Sequence, residues 1–191
     1  MRPLIRVLAA CALAAAGTAS ADPKADVRAA FGKFIEAHSF RATVVDVKKG
    51  QQLSEMEFVA PDRYHMKTGQ GPETYIVGDD AFMEVQGHMM KAPLPVGKII
   101  AQYRNKGFAD EHGVTVADAG SDSVDGDPAH AYTYVMTEPN KVEGKVWISD
   151  TSGYPIQLES QGSFMGVKTL TRVRYSDFND KTIVIHAPGG P

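Results

Sequence analysis

Hydrophobic and polar positions fall into two patterns along this chain. Between residues 22 and 38 they follow a helical period, with Val27, Ala30, Phe31, Phe34, Ile35 and His38 on one stripe. Asp22 and Pro23 supply an N-cap and a first-turn proline, so the pattern predicts a helix from residue 23 to 38. A lone amphipathic helix must bury its stripe against something larger.

From residue 40 onward the period shortens to two. The segment 54–61 sets Met56 and Phe58 against Glu55 and Glu57, and the next sets Tyr64 and Met66 against His65 and Lys67. Such alternation predicts a sheet with one apolar and one wet face. Further strands are predicted at 40–49, 73–78, 81–86, 129–138, 144–149, 155–161, 167–178 and 182–188, with another beginning after a tight turn at Gly87-His88. Turn chemistry separates them, notably in 120–128, 138–141 and 150–155. A shorter helix is predicted over 96–105, with Ile99, Ile100 and Tyr103 as a partial stripe. Consecutive short strands joined by tight turns form an antiparallel meander. About ten of them approach the limit for an open twisted sheet, which then curls. The expected fold is therefore α+β: a curled antiparallel sheet, an unclosed half-barrel, whose concave face is covered by the N-terminal helix and the short second helix.

The chain begins with Arg2 and Arg6, an apolar run over residues 7–16 and a small-x-small site at Ala19-Ser20-Ala21. That is the form of a secretory signal peptide cleaved after Ala21, which predicts export to the periplasm and one domain over residues 22–191. The alternative is a lipoprotein anchored at Cys11, read from Leu8 to Cys11. Past Ala21 there are 18 basic and 23 acidic residues, a net charge of −5. That balance argues against nucleic acid as a partner. Cys11 is the chain's single cysteine, so a disulfide or thiol chemistry is not expected after cleavage.

Candidate chemistry is sparse. Met83, His88, Met89 and Met90 are soft ligands of the kind that hold Cu(I), but adjacent Met89 and Met90 face opposite ways on a strand. The six histidines are scattered singly, so no metal or other cofactor is expected. There is no G-x-S-x-G elbow and no Gly-rich phosphate loop, and Glu55/Glu57 is an ordinary wet-face pair. Asp122, Asp125 and Asp127 lack the spacing of a calcium loop, and 120–128 is read as a solvated turn. The expectation is a protein that is not an enzyme. What stands out is seven methionines beyond Met1, flexible thioethers suited to variable apolar shapes, among aromatics on the same faces. The residues alone leave open whether they line a cavity or fill a core.

The leading helix running into 39–44, the stretch PDRYHMKTGQGPETYIVGDD at 61–80 and MMKAP at 89–93, with GYPIQLE at 153–159 and APGG at 187–190, resembles the periplasmic lipoprotein-carrier (LolA-like) superfamily. The likeness is strongest over residues 27–93. It implies a helix-lidded half-barrel that holds acyl chains. The lining it implies is Phe31, Phe34, Met56, Phe58, Tyr64, Met66, Met83, Met89, Met90, Ile99, Tyr132, Tyr134 and Met136. The implied partners are lipid or lipoprotein acyl chains and, in a second reading, an envelope protein; a monomer is expected. Two features depart from the carrier proper. Ala60 stands where the carrier has an arginine before the proline, with Arg63 no equivalent, and the carrier's C-terminal extension is expected to be absent, since the sequence runs only a little past its last predicted strand. Both favour a lipid-binding relative over a dedicated lipoprotein carrier. A buried acyl chain gains ~0.8 kcal/mol per CH₂, so about fourteen carbons supply ~10 kcal/mol before ordering costs.

Overall fold

The structure, a computed structural model, describes residues 22–69, 71–93, 96–98, 113–138, 141–164 and 167–188. The first element, α1 (Pro23–Glu36), starts as its sequence dictates. The Asp22 carboxylate accepts from the backbone N–H of Lys24 at 3.0 Å and of Ala25 at 3.3 Å, and Pro23 needs no partner for an N–H it lacks.

Eleven strands follow: β1 (Ser39–Asp46), β2 (Gln51–Val59), β3 (Arg63–Thr68), β4 (Thr74–Val77), β5 (Asp80–Val85), β6 (His88–Lys91), β7 (Thr115–Val124), β8 (Asp127–Met136), β9 (Val142–Ser149), β10 (Pro155–Phe164) and β11 (Val167–Ser176). They form one antiparallel sheet in the order β6-β5-β4-β3-β2-β1-β11-β10-β9-β8-β7. Each half is a meander, as expected. The seam between the halves is the pairing of β1 with β11, the first and last strands. The two edges, β6 and β7, are consecutive in the chain but do not pair, so the sheet stays open as the predicted half-barrel.

Hairpin turns explain the local register. Gln86 and Gly87 both take positive φ (54° and 79°), as do Asp125 and Gly126 (52° and 89°). Two positive-φ residues make the turn whose twist matches that of the flanking strands. The first of these turns lies one residue earlier than the expected Gly87-His88, so His88 already belongs to β6.

Two expectations change. Residues 120–124, read as part of a solvated turn, belong to β7, and only Asp125-Gly126 turns. As an edge strand β7 is wet over most of its length and carries no apolar alternation, so its sequence hides it. Residues 182–188, expected as a closing strand, make no ladder. Ile183 and Ile185 are buried there, and Arg63 donates to the Ile185 carbonyl at 2.8 Å. Of the expected second helix, residues 96–98 are helical, while Ile99, Ile100 and Tyr103 lie outside the described residues. Val96 packs on the core, Gly97 donates to the Asp79 carbonyl at 3.3 Å, and Lys98 pairs with Asp79 at 3.3 Å. This turn therefore docks on the β4–β5 hairpin.

Candidate functional site

Residues directly opposed on neighbouring strands share a face of the sheet. The register therefore defines one inner face across the eleven strands. Its first row is Phe40, Phe58, Tyr64, Ile76 and Ala81, on β1 to β5, and all five are buried. The aromatic members stack in sequence, Phe40 on Phe58 at 5.0 Å and Phe58 on Tyr64 at 4.9 Å between ring centres.

The second row is Tyr175, Ala42, Met56, Met66, Thr74, Met83 and Met90, running from β11 to the β6 edge. The third is Ser54, Val44, Val173, Leu158, Val146 and Tyr132, running into the second half of the sheet. Tyr134 and Met136 follow Tyr132 on the same face of β8. Apart from Ala42, Val146 and Tyr132, which are buried, the apolar members of these two rows are half-buried or, at Met90, exposed.

Helix α1 lies over this face. Phe34 packs on Phe40 at 4.7 Å, Tyr175 at 5.0 Å and Phe178 at 6.1 Å, and Phe31 sits edge-on to Phe34 at 6.2 Å. At the other end of the helix, the Tyr132 hydroxyl donates to the Asp26 carboxylate at 3.1 Å. Lys33 donates to the Ser152 carbonyl and lies 4.6 Å over the ring of Tyr154. The helix is thus held near both ends, and Ala30 is its buried residue. Val27, Phe31, Phe34 and Ile35 keep part of their surface free.

Three tyrosines register the low polarity of the interior. Burial, helped by Asp26, pushes the Tyr132 hydroxyl up to about 12. Burial also pushes Tyr175 up to about 12, with Tyr134 adding to the effect. Tyr134 is raised by burial and partly relieved by its 2.6 Å hydrogen bond to Ser160 Oγ. Tyr175 packs against Phe34 at 5.0 Å and Phe40 at 6.0 Å between ring centres.

The face brings together Phe31, Phe34, Met56, Phe58, Tyr64, Met66, Met83, Met90, Tyr132, Tyr134 and Met136. Phe58 and Tyr64 sit in the buried row, at 0% and 7% exposure, and form the floor of the face. Met89 stands elsewhere: it opposes Glu84 on the outer face of β6, because neighbours on a strand point to opposite sides. Ile99 lies outside the described residues. Tyr175, Val173 and Leu158 are inner-face residues that pattern reading missed. In β11 they are spaced by Arg172 and Arg174, an alternation that carried the signal.

The outer face is built differently. Arg41, Glu57, His65 and Tyr75 follow one another across β1 to β4. Arg41 Nε donates to Glu57 at 2.9 Å, and His65 lies 3.4 Å from Glu57 and 3.3 Å from Glu73 while stacking on Tyr75 at 4.3 Å. Burial would raise the Glu57 carboxyl, but Arg41 and His65 outweigh it and hold it below its usual range. A groove of 290 Å³ runs along this ladder, past Thr43, Lys67 and Ser176. Its lining sets the paired side chains of Arg41, Glu57, His65 and Lys67 beside Ala42 and Met56. Farther along the outer face, Val124, Ala129, Ala131 and Trp147 form a small second core, closed by a 2.8 Å bond from the Trp147 indole N–H to Asp122. Among the described residues no group of three His, Cys, Asp or Glu side chains is placed to hold a metal ion.

No protein-family model matches the chain, and no curated protein matches it in sequence. Solved structures do resemble it. The lipoprotein LppX of Mycobacterium tuberculosis superposes with a TM-score of 0.64 at 13% identity, covering 86% of this chain and 100% of that one. LprF from Mycobacterium bovis superposes with a TM-score of 0.60 at 12% identity, covering 88% and 98%. At such identities the likeness is one of fold. The fold expected from the sequence, an unclosed half-barrel with an N-terminal helix over one face, is therefore one this chain shares with those two structures.

Proposed function

We propose that this protein is a periplasmic carrier that sequesters acyl chains of lipid or lipoprotein between α1 and the inner face of the sheet. One observation carries the reading. The helix is fastened over an apolar face, yet its stripe and the methionines farther along that face stay partly exposed. An acyl chain filling that space removes both surfaces from water at ~25 cal/mol per Å². Methionine suits such a wall, because its unbranched thioether adapts to chains of different shape. The binding is non-covalent, and movement of α1 about its Phe34 anchor opens the site. The domain that acts is residues 22–191, released by cleavage after Ala21; Edman sequencing of periplasmic protein should read Asp22 first. A lipid-modified Cys11 would instead put the same domain on a membrane anchor.

Native mass spectrometry of the protein purified from periplasm tests the carrier reading. Adducts with fatty-chain masses, lost on organic extraction and restored on reloading, are the expected result. A protein that leaves the periplasm bare and takes up no fatty ligand sinks the proposal. A second reading, docking of an envelope protein, rests on Val85, Met89 and Met90, which are exposed at 41%, 38% and 56% near the open β6 edge. Recovery of one stoichiometric protein partner without lipid would favour it.

A further inference from the structure

The second inner row has a direction. Met56 and Met66 pack against the buried aromatic row, Met83 is half-buried, and Met90 is 56% exposed at the β6 edge. Each methionine opposes the next across the ladder, interrupted only by Thr74 on β4. Four strand spacings separate β2 from β6, about 19 Å at ~4.8 Å each.

The row is also one side chain wide. On its inner side runs the closed aromatic row, from Phe40 to Ala81. On its outer side, two residues along each strand, stand Ser54, Thr68 and His88, with Pro72 and Val85 as exposed apolar members. An apolar shelf between a packed wall and a polar rim fits a single alkyl chain lying across the strands. It does not fit a sheet of lipid or a helix, which need broader faces. Among the described residues the row ends at an unpaired edge.

We propose that the methionine row is the loading and release port of the carrier site. One acyl chain slides lengthwise past Met90 and Met83 to reach Met66 and Met56. The proposal rests on the carrier reading and adds a route to it. Flexible thioethers at each step let the chain move without a fixed registry, which a row of β-branched residues would impose.

Met90→Glu and Met89→Glu separate the port from its alternatives. Both residues lie on β6, both are exposed, and they point to opposite faces. The probe is a pyrene-labelled hexadecanoic acid, delivered from phosphatidylethanolamine/phosphatidylglycerol vesicles and chased with unlabelled acid. A carboxylate at position 90 denies the passing chain contact for roughly two methylenes, which slows loading and release together by about tenfold. The equilibrium occupancy should change far less, because the seated chain lies deeper. Met89→Glu should match the wild type, and Met90→Leu should restore its rates. Wild-type rates in Met90→Glu would overturn the port while leaving the carrier reading intact. Equal slowing by both glutamates would also overturn it, since a partner strand added to β6 shields both faces alike. A wild type that takes up no probe overturns the carrier reading and the port together.

Discussion

Trp147 is the chain's single tryptophan, and its environment is set by one carboxylate. Asp122 accepts from the Trp147 indole at 2.8 Å, from the Ser123 backbone N–H at 2.8 Å and from Lys145 at 3.1 Å. These donors, the indole first, hold its carboxyl down at about 2, against an ordinary value of 3.8. A depressed carboxyl stabilises the fold above its ordinary range and loses that contribution as pH falls through its folded value. Trp147 emission should therefore titrate as pH falls from about 4 to about 2, and Asp122→Asn should abolish that step. An unchanged acid titration in the variant would mean another group is being read. A second residue-scale test concerns the fastening of α1. Tyr132→Phe removes the bond to Asp26 and should cost about 1 kcal/mol. Hydrogen exchange in residues 23–30 should accelerate, with the strands unaffected. The same bond weakens in the wild type as pH rises from 10, the ordinary phenol value, through about 12, because a raised group loses its contribution above its folded value.

At the scale of elements, two positions decide how parts meet. Phe34 is where the helix grips the sheet, through rings on β1, β11 and the segment after it. Phe34→Ala should cost about 3 kcal/mol, the low end for a phenylalanine that keeps some exposure. Differential scanning calorimetry should then show Tm lower by roughly 6–12 °C. Gly144 is where β8 and β10 approach across β9. Tyr134 lies over it to reach Ser160, and a Cβ at 144 would collide with the Tyr134 ring and with the Glu159 carbonyl oxygen. Gly144→Ala should destabilise by about 1–3 kcal/mol. Trimming Tyr134 in addition should not restore stability, because the clash with the β10 backbone stays. Neither role was legible beforehand. A glycine opening the segment 144–149 looks like the end of a turn, and a tyrosine on β8 looks like any inner-face aromatic.

For the whole molecule, the seam is the organising feature. β1 and β11 pair over Arg41 to Asp46, although more than a hundred residues separate them. Stability should therefore grade from the centre of the sheet to its edges. Amide exchange should be slowest in β1, β2, β10 and β11 and fastest in β6, which is four residues long, exposed and unpaired on one side. Protection of β6 equal to that of β1 would instead mean that something covers this edge in solution.

The sequence by itself determined the elements whose signals are local. The start of α1 follows from Asp22 and Pro23, and most strands from period-two alternation, because capping and pleating act over a few residues. It also placed most of the candidate lining, since alternation assigns Met56, Phe58, Tyr64 and Met66 to one face whatever lies beyond it. Local signals failed where the environment is not local. β7 was hidden because an edge strand that is mostly wet needs no apolar pattern. Residues 182–188 misled because Ile183 and Ile185 are buried without a partner strand. Only the tertiary structure decided that β1 joins β11, that β6 and β7 stay apart, and that α1 packs through Phe34 on the β1–β11 seam. Those outcomes depend on the curl of the whole sheet and on contacts between distant residues. They also turned the methionines from a composition into a row: Met56, Met66, Met83 and Met90 lie in four different strands, and only cross-strand register sets them in line.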